Sequence, residues 1–284
     1  MPDDAILVPR QSADGFRNMA VDEYLLELCR GRDADAALRF YEWKPPAVSL
    51  GYAQSFDLLD LTACLDQGVD VVRRITGGGA LLHWQELTYC FVIRRDTPAA
   101  GAWPREVAGA VSRALRAGLS AMGVPASSRT SANGAADRPG RRGASDLCFM
   151  SGAENEIEVS GRKLAGCAHK FTREAFFSHG SVLTGPRHVQ IARLVRTDAR
   201  CRAIGLAESI AERSTSLFQL LGRVPPADEM ESAFKSAFES EFGLRFRPTE
   251  LCHAGTALVE VRAAEKRSAL ASAVQAVKLT GGAR

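Results

Sequence analysis

Three consecutive glycines, Gly77-Gly78-Gly79, interrupt the run RRITGGGALLHWQELTYCFVI between two strand-like segments. They constrain this chain more than any other feature. A glycine in regular structure costs roughly 0.5–1 kcal/mol against alanine. Three in a row therefore point to a close approach of backbone or ligand, or to a positive φ. A two-residue hairpin turn needs only one or two. Arg73 and Arg74 precede the triplet and His83 follows it. Backbone N–H and guanidinium groups so placed can cradle a phosphate or a carbonyl oxygen. A stretch without side chains also lets a narrow apolar chain lie against the backbone. The ordinary alternative is a glycine-rich hairpin with a surface arginine pair. Neither common phosphate loop is present, since no Gly-Lys-Ser/Thr follows and G-x-G-x-x-G is absent.

The periodicity around this turn predicts an α+β domain of mixed or antiparallel strands with packed helices. A helix is expected over 18–30, capped by Asn18 and stopped by Gly31. ALRFYEW, AVSLGYAQ, VDVVRR, ALLHW and LTYCFVIRR read as strands, with a short helix near 59–67. Val107, Val111, Leu115 and Leu119 mark a helix over 105–122. Residues 125–146 turn small, polar and Gly/Pro-bearing, the composition of a long functional loop. EIEVSGRKLAGCAHKF reads as a hairpin turning at Ser160-Gly161, followed by the strand FFSHGSVLTG. A helix near 187–196, a connecting segment, an amphipathic helix through Met230, Phe234, Phe238 and Phe242, and one long helix beyond Pro248 complete the chain.

Two further side chains carry potential chemistry. Cys148, in DLCF, stands where the loop meets a strand, so substrate can reach it. A nearby cation such as Lys163 or His179 would supply thiolate. Lys163, in GRKLAG, can fold its ammonium back toward a pocket and polarise a carbonyl. The plain alternatives are a buried core cysteine and an exposed strand lysine. Cys90 and Cys167 fit the core reading better, being set in apolar or small-residue strands. His83 and His179 can equally be satisfied histidines at strand ends.

Composition narrows the class. The 284 residues carry 36 basic and 33 acidic side chains, a net charge of +3, so nothing calls for nucleic acid or an anionic membrane. No apolar run approaches the ~20 residues of a membrane span, and the start MPDDAILVPR does not read as a signal peptide. Seven cysteines, an odd number without a C-x-x-C pair, argue against a disulfide framework or a zinc knuckle and for a reducing cytoplasm.

In order along the chain, NMAVDEYLL, LRFYEWKPPAVSLGYAQ, RRITGGGALLHWQELTY, DLCF, GRKLAGCAHK, HGSVL and RSTSL resemble the lipoate-protein ligase and octanoyltransferase family over about residues 15–245. The set is specific although no single piece is. The resemblance implies a fold shared with biotin protein ligases: mixed, largely antiparallel sheets with packed helices, a catalytic domain over 1–250 and a helical extension over 251–284. It implies transfer of an octanoyl or lipoyl group to a lysine of a lipoyl domain, such as the glycine cleavage H protein or a 2-oxoacid dehydrogenase E2. In the cysteine-dependent branch the group comes from octanoyl-acyl carrier protein through a thioester on Cys148, with Lys163 as its partner and neither cofactor nor metal. The Cys148-Phe149 pair and the Gln-Glu-Leu-Thr-Tyr run resemble that branch. An ATP- and Mg-dependent ligase, or an amidotransferase between lipoyl proteins, is the alternative. The resemblance assigns substrate contacts to Arg73, Arg74, Gly77, Gly78, Gly79, His83, Gly166, Ala168, His179 and Gly180. The chain departs from the pattern at Trp84, often Asp, at Cys167 and His169, and at Gly79, the commoner ligase residue.

Overall fold

The computed structural model describes residues 5–101, 105–128, 147–148, 156–196 and 200–281. Phe149 and most of the expected loop, residues 129–146, lie outside them.

Alternating apolar residues build one large sheet. Its strands lie in the order β11 (Arg247–Pro248), β1 (Ala5–Ala13), β2 (Ala36–Trp43), β6 (Glu86–Arg94), β10 (Ala175–Leu183), β9 (Arg162–Phe171), β8 (Ile157–Val159) and β7 (Ser127–Ser128). β1 runs parallel to β2 and β11, while every pairing from β2 to β7 is antiparallel. A second sheet holds β3 (Ala47–Leu50) between β4 (Asp70–Arg73) and β5 (Leu81–His83). The architecture is the α+β one expected. β7 also shortens the expected loop, because Ser127 and Ser128 pair with β8.

Each face of the large sheet carries its own core. On one face α3 (Arg105–Ala121) packs with α6 (Ala227–Phe242). Phe234, Phe238 and Phe242 fall four apart on α6, so they share a stripe. Their rings meet Phe40 at 6.2 Å and Phe91 at 5.2 and 4.5 Å. The opposite face is covered by α1 (Gly15–Gly31), the small sheet and α7 (His253–Gly281). Val259, Ala263 and Leu270 of α7 belong to the same buried cluster as Leu25 and Leu26 of α1. Lys266 pairs with Glu23 at 2.5 Å and Arg262 with Glu27. Cys90 is buried as expected, Cys29 and Cys64 are buried as well, and burial pushes Cys29 and Cys64 up to about 12.

Several elements differ from the sequence reading. Asp14, not Asn18, caps α1 by accepting from Arg17 N at 2.8 Å. Asn18 lies inside the helix, fully buried, and its amide donates to the carbonyls of Ala13 and Glu42, both at 3.0 Å. Arg32, just past Gly31, takes the left-handed cap with φ 71°. Arg187–Arg193 is a 3-10 turn rather than an α-helix, whereas the supposed connection contains α4 (Arg200–Arg213) and α5 (Leu217–Leu221). β1 escaped notice because Pro9 breaks its pattern. The register shift between Val8 and Gln11 is the irregularity that lets a proline sit in a doubly paired strand.

Candidate active site

A narrow cavity of ≈ 80 Å³ lies between the two sheets. The large sheet contributes a row of residues in register: Gly166 faces Ser181, Ser181 faces Thr88, and Thr88 faces Tyr41. All four line the cavity. The row crosses β9, β10, β6 and β2, three strand spacings or about 14 Å. Met19 of α1 and Ser49, Gly78, Gly79 and Leu81 of the small-sheet side close the opposite wall.

Cys148 sits at the Gly166 end. Its backbone N donates to Ala80 O at 2.9 Å, next to a short parallel bridge between Leu147 and Ala80. The residue after the glycine run therefore hangs the thiol over the cavity. Lys163 Nζ donates to Cys148 O at 2.9 Å and lies 3.6 Å from Sγ. The same ammonium is paired with Glu156, and both partners are almost wholly buried, at 4% and 3% exposed. Burial alone would drive the Lys163 pKa down, but Cys148 and Glu156 outweigh it and hold it above the usual value. Gly166 makes room for this cluster. A Cβ there would lie 2.9 Å from Lys163 Cε, 3.2 Å from Nζ and 3.6 Å from Cys148 Sγ.

Both histidines of the cavity are tied into buried networks. His179 donates from Nδ1 to Asp22 Oδ2 at 3.0 Å and accepts at Nε2 from Thr76 Oγ1 at 2.7 Å. Burial lowers its pKa, so it is held neutral, and Lys163 is the cation beside the thiol. His83 donates from Nδ1 to Glu86 Oε1 at 2.6 Å, accepts at Nε2 from Ser49 Oγ at 2.7 Å, and stacks on Trp43 with centroids 3.9 Å apart. Desolvation opposes charge on Glu86, yet His83, Ser181 and Thr88 together keep its pKa below the usual carboxylate range. Both are satisfied histidines, His83 at the end of β5 and His179 in the middle of β10, and both line the cavity.

The arginines divide. Arg74 is buried and wraps the glycine turn, donating to Gly77 O at 2.7 Å, Gly79 O at 2.9 Å and Ser49 O at 2.9 Å. Its guanidinium lines the cavity but serves as the turn's scaffold. Arg73 points the other way, donating to the carbonyls of Gly51, Tyr52 and Gln54 with its guanidinium over the Phe56 ring. Neither Arg73 nor Gly77 is brought to the cavity, while Gly78, Gly79, His83, Gly166, Ala168, His179 and Gly180 are. The positive φ inferred for the glycine run is found at Gly78, at +92°, while the close backbone approach falls on Gly51, whose side-chain space is taken by the Gly78 carbonyl; a side chain on Gly77 would meet nothing within 4 Å. Cys167 also lines the cavity, but burial pushes its thiol up to about 12.

Sequence reading missed Glu156, Asp22, Ser49, Trp43 and Glu86. Asp22 had a signal, since it falls with Asn18, Leu25 and Cys29 on the buried side of α1, where an unpaired carboxylate would be costly. It accepts from Tyr41 Oη at 2.8 Å and Arg39 Nη1 at 3.2 Å. Glu156 had none, because its partner is seven residues away across a hairpin.

Two sheets clasping a narrow cavity, with a thiol, an ammonium and a carboxylate at one end, define a catalytic domain of recognisable type. Residues 14–239 match the profile of the lipoyl protein ligase A/B catalytic domain, and the chain belongs to that family. The octanoyltransferase LipM of Symbiobacterium thermophilum is 37% identical to it over 243 residues, which cover 84% of this chain and 86% of that protein. Among solved structures, the archaeal bipartite lipoate protein ligase system of Thermoplasma acidophilum superposes with a TM-score of 0.73 at 19% identity, covering 94% of each chain. A lipoate-protein ligase A bound with ATP gives 0.70 at 21% identity, covering 94% of this chain and 96% of its own. These two likenesses concern the fold.

Proposed function

We propose that this chain is a protein N-octanoyltransferase acting through a cysteine acyl-enzyme. The observation that carries the reading is the placement of Cys148 Sγ 3.6 Å from the buried Lys163 ammonium, at one end of a cavity shaped for a narrow chain. The likeness to LipM octanoyltransferases supports it.

Cys148, as thiolate beside Lys163, attacks the thioester carbon of octanoyl-acyl carrier protein. The carrier thiol leaves and the octanoyl group remains on Sγ, an exchange between thioesters that needs no ATP. Lys163 stabilises both the thiolate and the oxyanion of the tetrahedral adduct. The acyl chain runs along the Gly166–Ser181–Thr88–Tyr41 row, under Gly78 and Gly79 and past Gly180 and Ala168. His83 and His179 act as fixed, hydrogen-bonded walls. A lysine of a lipoyl domain then attacks the thioester and forms the more stable amide. Among the described residues, Cys29, Cys64, Cys90, Cys148, Cys167 and Cys252 stand outside any disulfide, which suits the cytoplasm. No described helix is long and apolar enough to cross a membrane.

Intact mass after mixing the protein with octanoyl-acyl carrier protein, without ATP, tests the reading. The expected result is a gain of one octanoyl group that is absent in Cys148→Ala. An unlabelled wild-type protein that forms an acyl-adenylate from ATP and free acid would instead make it a ligase. A labelled wild type that uses octanoyl-lipoyl protein in preference to octanoyl-carrier would make it an amidotransferase.

A further inference from the structure

We propose that Arg187, Arg193 and Arg196 form a docking ridge for the donor: an acidic α-helix of the protein that delivers the acyl thioester lies along them. This rests on the acyl-enzyme reading above and concerns how the carrier, rather than the acyl group, is recognised.

The ridge follows from the geometry of the 3-10 turn Arg187–Arg193. Residues three apart eclipse in such a helix, and each turn rises about 6 Å. Arg187 and Arg193 are exposed with Gln190 between them, while His188, Ile191 and Leu194 are buried. Arg196 follows three residues on, exposed as well, where its backbone N donates to Leu58 O at 3.0 Å. The inner side anchors the turn beside the thiol. His188 Nε2 lies 2.7 Å from Ser214 Oγ, and Ser214 forms a bridge with Lys163. Ile191 and Leu194 belong to the apolar cluster that holds Leu147 and packs against Cys148. The arginines thus stand on the outer surface of the Cys148 end, and none of them lines the cavity.

Elsewhere surface cations are matched on the chain itself. Arg10 pairs with Glu231 at 3.0 Å, Arg94 with Asp35 at 2.7 Å and Lys235 with Glu239 at 2.8 Å. No carboxylate among the described residues pairs with Arg187, Arg193 or Arg196. Arg187 lies over the Trp84 ring, 4.8 Å from its centroid, which fixes one end of the ridge and leaves the guanidinium edge free to donate. Three like charges along one short element repel, and an anionic partner relieves that repulsion.

Spacing selects the form of the partner. Carboxylates four residues apart on an α-helix also recur about every 6 Å. Acidic residues at i and i+8 would therefore meet Arg187 and Arg193, with i+4 against the Gln190 amide. The ridge's place outside the cavity selects the donor. A carrier holds its thioester at the end of a long flexible arm, so its body can rest on a surface beside the mouth. An acceptor lysine reaches no further than one side chain, so its domain must seat at the mouth itself.

The test compares acyl-enzyme formation from octanoyl-acyl carrier protein and from the octanoyl thioester of N-acetylcysteamine, a small uncharged thiol, in wild type and in the double variant Arg193→Glu, Arg196→Glu. The expected result is a loss of at least about tenfold in the second-order rate constant with the carrier, and none with the small thioester. Raising the ionic strength should slow the carrier reaction of the wild type and leave that of the variant unchanged. The pair Arg193→Lys, Arg196→Lys keeps the charge and should retain most of the carrier reaction. Equal losses with both donors, or no loss with the carrier, overturn the proposal. So does a loss confined to discharge by a lipoyl domain, which would make the ridge the acceptor's. Should the wild type form no acyl-enzyme with either donor, the acyl-transfer reading fails instead, and calorimetric titration with the unacylated carrier decides the ridge. Binding that weakens at least about tenfold on charge reversal sustains it, while equal affinity or no binding overturns it.

Discussion

At the scale of single residues, two neighbouring glycines separate activity from stability. Gly166→Ala would press a methyl against the flexible end of Lys163, 2.9 Å from Cε, and toward Cys148 Sγ. The side chain can yield, so the fold should survive while the thiol–ammonium contact opens. We expect acyl-enzyme formation to slow at least about tenfold, the effect of roughly 1.4 kcal/mol on a barrier, with an unchanged thermal midpoint. Gly180→Ala meets the Gly166 carbonyl, Tyr89 Cε1 at 2.8 Å and Cys167 Cα at 3.0 Å. Backbone cannot yield so easily, and urea unfolding should show a loss of about 1–3 kcal/mol. Cys148 and Lys163 were legible in the sequence because a loop-edge thiol and a post-turn lysine each leave a local mark, whereas Gly166 came only with the family resemblance. Glu156 was not, since it is one of three closely spaced glutamates, with Glu154 and Glu158, that read as a solvated acidic stretch, and only the β8–β9 hairpin brings it to Lys163.

At the scale of elements, local periodicity carried the reading as far as local physics allows. The α6 stripe of Phe234, Phe238 and Phe242 was plain, as was the long α7. The 3-10 turn at Arg187–Arg193 and the connection holding α4 show the limit. Both segments are short or weakly patterned, and tertiary packing decides their form. β1 was illegible for a related reason, because a strand broken by Pro9 depends on partners distant in sequence. The α1–α7 contact makes a testable statement about the helical extension expected after residue 250. Truncation after Leu251 removes Val259, Ala263 and Leu270 from a cluster shared with α1. Losing that buried apolar surface should cost at least ~3 kcal/mol, seen as a thermal midpoint lower by at least about 5 °C. A truncated chain as stable as the full one would show that α7 is an independent appendage.

At the scale of the whole molecule, buried imidazoles set an acid limit. Burial, only partly opposed by Gly185 and Glu86, lowers the His188 pKa to about 4, and burial takes His169 to about 4 as well. The unfolded chain titrates near 6.5, so between pH 6.5 and 4 it binds protons that the folded chain refuses. Stability is therefore full above pH 6.5 and declines as pH falls toward 4. For His188, which is 2% exposed, the loss from pH 7 to pH 5 is about 2 kcal/mol. Urea unfolding at the two pH values should show a pH-dependent loss about 2 kcal/mol smaller in His188→Gln than in the wild type, the remainder coming from the other buried imidazoles. An equal pH dependence in both would mean that His188 titrates normally.

The backbone bond from Cys148 to Ala80 reaches further than its single 2.9 Å length suggests. Gly78 and Gly79 roof the cavity, Arg74 pins their turn, and Ala80, the next residue, suspends Cys148, the proposed nucleophile. The measuring edge of the cavity and its reactive mark are thus parts of one short segment. A mutation that raises the roof to admit a bulkier chain also moves the sulfur away from Lys163. On the proposed function, adaptation to a new acyl group is therefore channelled to the end remote from Cys148, where the cavity can change shape while the thiol keeps its place.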